Sequence, residues 1–188
     1  MLITKILCLR SLCFFFTRRA STHPARIKRH TLMHVYLSLG TNLGDKEQNL
    51  LLAVRKIEER IGTVTSLSAF YATAPWGFSS ENQFLNAALC ADTALNPLQV
   101  LRTTQEIERE MGRTRKSAGG VYTDRLIDID LLLCYDPDGA PLLLDLPELK
   151  LPHPLMHQRS FVMQPLAEIA PGIVHPVLGK TIRELSLI

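Results

Sequence analysis

The sequence has no apolar run near the ~18 residues a membrane-spanning helix requires, so no helical membrane protein is expected. Glycine (10) and proline (11) occur in ordinary numbers without period, which excludes collagen-like and low-complexity chains. No repeat of solenoid length is present. The four cysteines show no Cys-x-x-Cys or Cys/His metal spacing. Cys8 and Cys13 lie near the start, and Cys90 and Cys134 sit in apolar runs. Buried free thiols in a reducing compartment follow, and nothing beside Cys90 or Cys134 would lower a thiol pKa. GxxxxGK[ST], HExxH and GxSxG are all missing, which excludes P-loop NTPases and the common zinc-protease and serine-hydrolase patterns.

Acids are absent from residues 1–32, which carry seven basic side chains: Lys5, Arg10, Arg18, Arg19, Arg26, Lys28 and Arg29. The chain total is 21 basic and 18 acidic, so residues 33–188 hold 14 and 18, a net of −4. The basicity belongs to the N-terminal segment. The remainder lacks the basic balance of a nucleic-acid-binding domain. The segment has transit-peptide composition, while Lys5 and Arg10 interrupt the apolar stretch a secretory signal needs. We expect residues 1–32 to be a dispensable tail, disordered or upstream of the true start at Met33. Residues 33–188 then form a single domain. At 188 residues and 46% apolar content there is enough surface to bury one core, and disorder is excluded for the bulk of the chain.

Alternation predicts a first strand over His34–Leu39, ending in the turn-rich Gly40–Gly44. Asp45, with Gln48 three residues on, reads as an N-cap and capping box. Leu50, Val54, Ile57 and Ile61 follow at helical spacing, and Gly62 stands where a C′ glycine belongs. Strands are expected over Val64–Ala72 and Gln83–Ala91, with Thr73–Asn82 a loop. In the second strand Phe84 and Asn86 share a face. Asn96-Pro97 opens a second helix running to Met111. Arg113–Tyr122 is a basic, glycine-containing loop. Leu126–Tyr135 is the strongest strand, with Pro141–Leu144 its hairpin partner, and short helices end the chain. This mixture without βαβ alternation points to α+β.

Asp128-Ile129-Asp130 is the sharpest feature. Both carboxylates project to one side of a strand, while Ile127, Ile129, Leu131 and Leu133 are expected on the core side. Two like charges on an apolar strand need positive compensation. Either nearby arginines or a divalent cation supplies it, and the pattern alone leaves both open. Arg113, Arg115, Lys116 and Arg125 lie close in sequence. Guanidinium groups match phosphate oxygens, so a polyphosphate site is one reading and a solvated loop the other. His153 and His157 are four apart, but Pro154 opposes a helix through both; a phosphate-contacting or structural His153 is preferred to a zinc ligand.

Several motifs occur in one order: Leu39-Gly40-Thr41-Asn42-Leu43-Gly44, Phe70–Gly77 (FYATAPWG), Phe84-Leu85-Asn86-Ala87, Gln105–Glu108 leading to Gly112–Arg115, Arg125–Asp130 (RLIDID), and Pro152-His153 leading to Arg159-Ser160-Phe161. In this order and spacing the chain resembles the 6-hydroxymethyl-7,8-dihydropterin pyrophosphokinase family from Val35 to about Leu185. The resemblance implies a ferredoxin-like α+β fold, a three-layer αβα sandwich with a mainly antiparallel sheet. It implies transfer of pyrophosphate from ATP to the hydroxymethyl group of a reduced pterin, with release of AMP, in folate biosynthesis. Two Mg²⁺ ions would be held by Asp128 and Asp130, and Arg115 and Arg125 would be catalytic. Gln105, Glu108, Arg113, Leu131, His153 and Arg159 would bind ATP. Gly40, Thr73, Pro75, Trp76, Phe84, Asn86 and Phe161 would bind the pterin, with Gly40 permitting a tight turn. The bland readings are core packing for Phe84 and Phe161 and a solvated helix face for Gln105 and Glu108.

The sequence departs from the family pattern at Thr123-Asp124, where a small residue and proline usually precede the arginine. Asp124 is expected to pair with a loop Arg or Lys rather than reach the metal site. The expected partners are small-molecule substrates only, with no nucleic acid or membrane, and the protein is expected to be a cytoplasmic monomer or weak dimer, or organellar if the tail is a transit peptide. The rival from another class is a nucleotide-sensing module without catalysis. It would not need both Asp128 and Asp130 beside a pterin pocket.

Overall fold

The computed structural model describes residues 4–6, 32–77, 79–112 and 124–187. Strands β1 (Thr4–Ile6), β2 (Met33–Thr41), β3 (Thr63–Leu67), β4 (Phe70–Thr73), β5 (Phe84–Thr93) and β6 (Asp128–Tyr135) form one sheet. Its order is β1-β4-β5-β2-β6, with β3 also against β5, and every pairing is antiparallel. A separate two-stranded ribbon, β7 (Leu144–Asp145) and β8 (Lys150–Leu151), packs Leu151 into the same core as the sheet. Helices α1 (Lys46–Arg60) and α2 (Pro97–Glu110) cover one face, and α3 (Ser160–Ile169) and α4 (Ile182–Ser186) the other. This is the expected α+β sandwich of three layers. Within the N-terminal segment Thr4–Ile6 pairs along the outer edge of β4.

Alternation in β2 and β5 builds two cores at once. Val35, Leu37 and Leu39 pack with Leu85, Leu89, Leu50, Ile57, Val100 and Ile107 on the α1/α2 side. Ala88 packs with Met163, Leu166 and Ile182 on the α3/α4 side. Each fully buried leucine contributes roughly 1.5–3 kcal/mol.

Four local readings are corrected. Asp45 caps α1 by accepting from Gln48 N at 3.1 Å, but the complete capping box is at α2, between Asn96 and Gln99. The expected Val64–Ala72 strand is two strands. At the break the Ser68 hydroxyl accepts from Ala88 N at 3.0 Å and Ser68 N donates to Ala88 O at 2.9 Å, so a side chain replaces one rung of the ladder. Of Pro141–Leu144, Pro141 bridges Tyr135 and Leu142 N donates to Cys134 O at 2.8 Å, so the return begins as expected, while Leu144 pairs with Leu151 instead.

The fourth is Leu133, which leaves the core face assigned to it. Tyr36 pairs with Leu133 but Leu37 with Leu131, so β6 carries a bulge at Leu132. Both bulge side chains turn to the same side, and Leu132 and Leu133 enter the α3/α4 core while Ile129, Leu131 and Cys134 stay in the other.

Candidate functional site

Strand register sets the floor of the site. Gly40 in β2 lies between Asn86 of β5 and Asp128 of β6; two residues along, Ser38 lies between Ala88 and Asp130. Two inter-strand spacings separate Asn86 from Asp128, about 10 Å between Cα atoms. Gly40 leaves the space between them open. A Cβ there would stand 2.9 Å from Asn86 Oδ1 and 3.9 Å from Phe84 Cδ1. Its φ is not positive, so this glycine supplies room rather than the expected tight turn. A cleft above this row is lined by Ser38, Gly40, Thr73, Ala74, Trp76, Phe84, Asn86, Arg125, Asp128, Asp130, His153, Arg159 and Phe161.

One end of the cleft is aromatic. Trp76 and Phe161 lie 6.1 Å apart between centroids, tilted by 58°. The Arg159 guanidinium sits 5.2 Å over Trp76 and 5.9 Å over Phe161, and that of Arg125 sits 5.5 Å over Phe84. At the floor Asn86 Nδ2 donates to Thr73 Oγ1 at 2.8 Å, both side chains buried. The amide is thereby oriented, with Oδ1 toward Gly40.

The other end is ionic. Arg125 Nη1 approaches Asp128 Oδ2 at 2.7 Å, and Arg159 Nη1 approaches Asp130 Oδ2 at 3.3 Å. Each carboxylate thus has its own arginine, which is the compensation the Asp pair requires. The same oxygens suit a hard divalent cation, which takes one or two carboxylates and completes its shell with water and phosphate oxygens. Among the described residues no group of three or more His, Cys, Asp or Glu is placed to hold a metal ion.

His153 enters from the chain after β8. Its N–H donates to Leu132 O at 2.9 Å, the carbonyl at the bulge. Its Nδ1 accepts from Leu155 N at 3.2 Å, which puts the imidazole proton on Nε2. Burial, then the Arg159 charge, push its pKa down to about 4, so the ring is neutral near pH 7. The unfolded chain takes up this proton below about 6.5, while the folded ring resists it until about 4. Folding therefore loses stability as pH falls through that window. We expect His153→Gln to flatten the pH dependence of the melting temperature between about 6.5 and 4. Melts at matched pH check this, and parallel curves would remove His153 as the cause.

A second cleft opens along the outer edge of β6, lined by Leu101, Ile129, Asp130, Leu131, Pro147, Glu148, Leu149, Lys150, His153 and Pro154. Asp130 and His153 line both clefts. Glu108 of α2 is buried, and its Oε1 accepts from Ile129 N at 2.7 Å. It ties down the edge N–H between the two aspartates, so it is neither a solvated helix residue nor a lining residue.

The family model for 7,8-dihydro-6-hydroxymethylpterin-pyrophosphokinase matches residues 36–171. The chain is 51% identical over 142 residues to 2-amino-4-hydroxy-6-hydroxymethyldihydropteridine pyrophosphokinase of Porphyromonas gingivalis, covering 76% of this chain and 93% of that one. The chain belongs to this family. It is 38% identical over 152 residues to the Aquifex aeolicus enzyme of the same name, covering 81% and 89%. Its fold matches that of Plasmodium falciparum HPPK-DHPS, whose wild-type structure with STZ-DHP gives a TM-score of 0.62 at 17% identity. That match covers 83% of this chain and spans 43% of the Plasmodium chain.

The fold brings together most residues the motifs had nominated. Gly40, Thr73, Trp76, Phe84, Asn86, Phe161, Arg125, Asp128, Asp130, His153 and Arg159 share the first cleft, and Leu131 lines the second. Pro75 and Gln105 line neither. Arg113 and Arg115, with the Arg113–Tyr122 loop and Thr123, lie outside the described residues. Ser38 and Ala74 were missed, although Ser38 is two residues from Gly40 and its strand face follows from alternation. The lining from Pro147 to Lys150 carried no signal, because only the sheet order reveals β6 as an edge. The loop Arg and Lys expected to pair with Asp124 lie outside the described residues; among those described, its carboxylate accepts from Asn42 and Asn82.

Proposed function

We propose that this protein transfers pyrophosphate from ATP to 6-hydroxymethyl-7,8-dihydropterin, giving AMP and the pterin diphosphate, through the two joined clefts. The observation that carries the residue-level reading is the row Asn86–Gly40–Asp128. It sets an oriented amide and a carboxylate about 10 Å apart on one open floor. The pterin lies between Phe84 and Phe161, whose ring faces suit a flat heterocycle. Its pyrimidine-like edge meets Asn86, which both donates and accepts. The hydroxymethyl arm then points toward the aspartates.

ATP occupies the second cleft with its base beside Leu131, and its phosphates pass between His153 and Asp130 into the first. His153 donates from Nε2 to a phosphate oxygen. Arg125 and Arg159 turn from their aspartates to the phosphates, and Arg113 and Arg115 add positive charge. Two Mg²⁺ ions held by Asp128 and Asp130 would supply charge neutralisation on the phosphates and acidify the attacking hydroxyl. Arg115 and Arg125 stabilise the charge that develops as the bridging oxygen leaves. Enclosure of the cleft by aromatic walls keeps water from intercepting the transferred group. Residues 33–188 form the catalytic unit, and the site of action is the cytoplasm. Among the described residues no helix is long and apolar enough to cross a membrane.

The test is AMP release from ATP and Mg²⁺ by the full chain, with and without the pterin. Pterin-dependent AMP formation is the expected result. ATP binding without AMP, in a folded sample given the pterin, would replace this reading with a nucleotide-sensing module.

A further inference from the structure

Asp124 stands where three chain segments meet outside the cleft. Its Oδ1 accepts from Asn42 Nδ2 at 2.6 Å and its Oδ2 from Asn82 Nδ2 at 2.8 Å. Ser80, then Asn82, hold the carboxyl below its ordinary range. Asn42, itself buried, closes a second ring with the next residue. Its N–H donates to Arg125 O at 3.1 Å, and its Oδ1 accepts from Arg125 N at 2.8 Å. Every polar atom of the Asn42 side chain is thus committed to the Asp124–Arg125 peptide or its partners. Asn82 is held locally as well, its N–H donating to Ser80 Oγ at 3.1 Å.

A carboxylate suits this point for a specific reason. Two amide groups converge on it from different segments, and an ionised Asp can accept from both at once, whereas an Asn would present a donor to one of them. Bonds to a charged acceptor are also roughly twice as strong as neutral ones. On one side of the junction, Arg125 sends its guanidinium to Asp128 and over Phe84. On the other, Asn82 lies two residues before Phe84, whose ring forms the opposing wall.

We propose that Asp124 is a positioning residue for the transfer: by pinning residues 80–82 to the Asn42 turn, it fixes the spacing between Phe84 and the Arg125 guanidinium. The proposal rests on the pyrophosphokinase reading. It acts through neighbours and touches no substrate. Its expected signature is coupled loss at two groups, pterin affinity through the Phe84 wall and turnover through Arg125.

The experiment compares Asp124→Ala, Asn82→Ala, the double variant and Asp124→Asn in the full chain. Asp124→Ala is expected to lower kcat/KM for the pterin roughly tenfold to a hundredfold, the loss of one or two bonds to a charged acceptor. Both a lower kcat and a higher pterin KM contribute. Asn82→Ala raises pterin KM alone, the double variant matches Asp124→Ala, and Asp124→Asn recovers part of the loss. Effects that add in the double variant, or kinetics within twofold of wild type per folded enzyme, overturn the proposal. Should Asp124→Ala fail to fold, Asn82→Ala decides: an unchanged pterin KM overturns it. Hydrogen exchange without substrate separates this inference from the reaction itself. Faster exchange of the Asn42 and Arg125 amides in Asp124→Ala supports the pinning even if no AMP forms, and unchanged protection overturns it.

Discussion

Asp128→Ala is expected to cut turnover about a thousandfold or more, while pterin affinity changes by less than tenfold. The asymmetry follows from the floor of the cleft. Asp128 lies across Gly40 from Asn86, so removing its carboxylate leaves the Asn86–Thr73 pair and the aromatic walls in place. What disappears is one of the two carboxylates proposed to hold the divalent cations. The substitution also removes the carboxylate that lies 2.7 Å from Arg125 and helps aim its guanidinium. Asp128 is 20% exposed, so water screens part of the charge left behind and the fold should survive. AMP formation gives the turnover, pterin fluorescence the affinity, and Mn²⁺ calorimetry with a non-hydrolysable ATP analogue the cation binding. Asp128→Asn keeps the shape without the charge and is expected to fail equally. Turnover within tenfold of wild type in either variant would remove Asp128 from the chemistry.

Gly62→Ala should produce the largest loss of stability among simple glycine substitutions. Gly62 follows α1 at the position where a left-handed C′ glycine is expected, yet its φ is not positive. The reason for glycine is contact. A Cβ would stand 2.0 Å from Asp92 O, 2.9 Å from Asp92 C and 3.0 Å from Thr93 Cα, all backbone atoms of β5. No rotamer change relieves this, so α1 must move off the sheet. The cost is about 3 kcal/mol or more, a fall in melting temperature of roughly 10 °C for a domain of this size. Gly172→Ala is the matched control, with nothing within 4 Å and no positive φ, and should be near neutral. Thermal melts of the two variants check the pair, and equal melting temperatures would refute the contact argument.

The legible part of this fold was the part governed by local period and by motif order. Alternation gave β2, β5 and β6 to within a few residues, and the helical spacing from Leu50 to Ile61 gave α1. The Asp128/Asp130 face was readable because i and i+2 project together ahead of the bulge. Interactions set by distant backbone were not readable. Nothing beside Ser68 announces that its hydroxyl substitutes for a rung of the β5 ladder. Gly40 and Gly62 look like turn residues in sequence and are spacers in space, since what excludes a Cβ is Asn86 in one case and Asp92 in the other. Glu108 is expected to bind ATP from the motif, or to be solvated from its helix face, and neither reading shows its bond to the edge N–H of a strand 21 residues later. Asp124 was singled out only as a departure, and its amide partners lie 82 and 42 residues away.

The bulge at Leu132 has a bearing on how such a chain can change over generations. Residues 128 to 131 and residue 134 count on opposite parities, and the extra residue absorbs the mismatch so that aspartates and core leucines each reach their proper side. Swaps of one aliphatic letter for another in β6 are therefore tolerable mutations. A single-codon insertion or deletion between Asp130 and Cys134 is not, because it would either turn the following leucines inside out or withdraw the carbonyl from which His153 hangs. Length variation has a cheaper outlet in the Asp136–Ala140 turn just beyond. The spelling of this strand can drift, but its arithmetic is inherited intact.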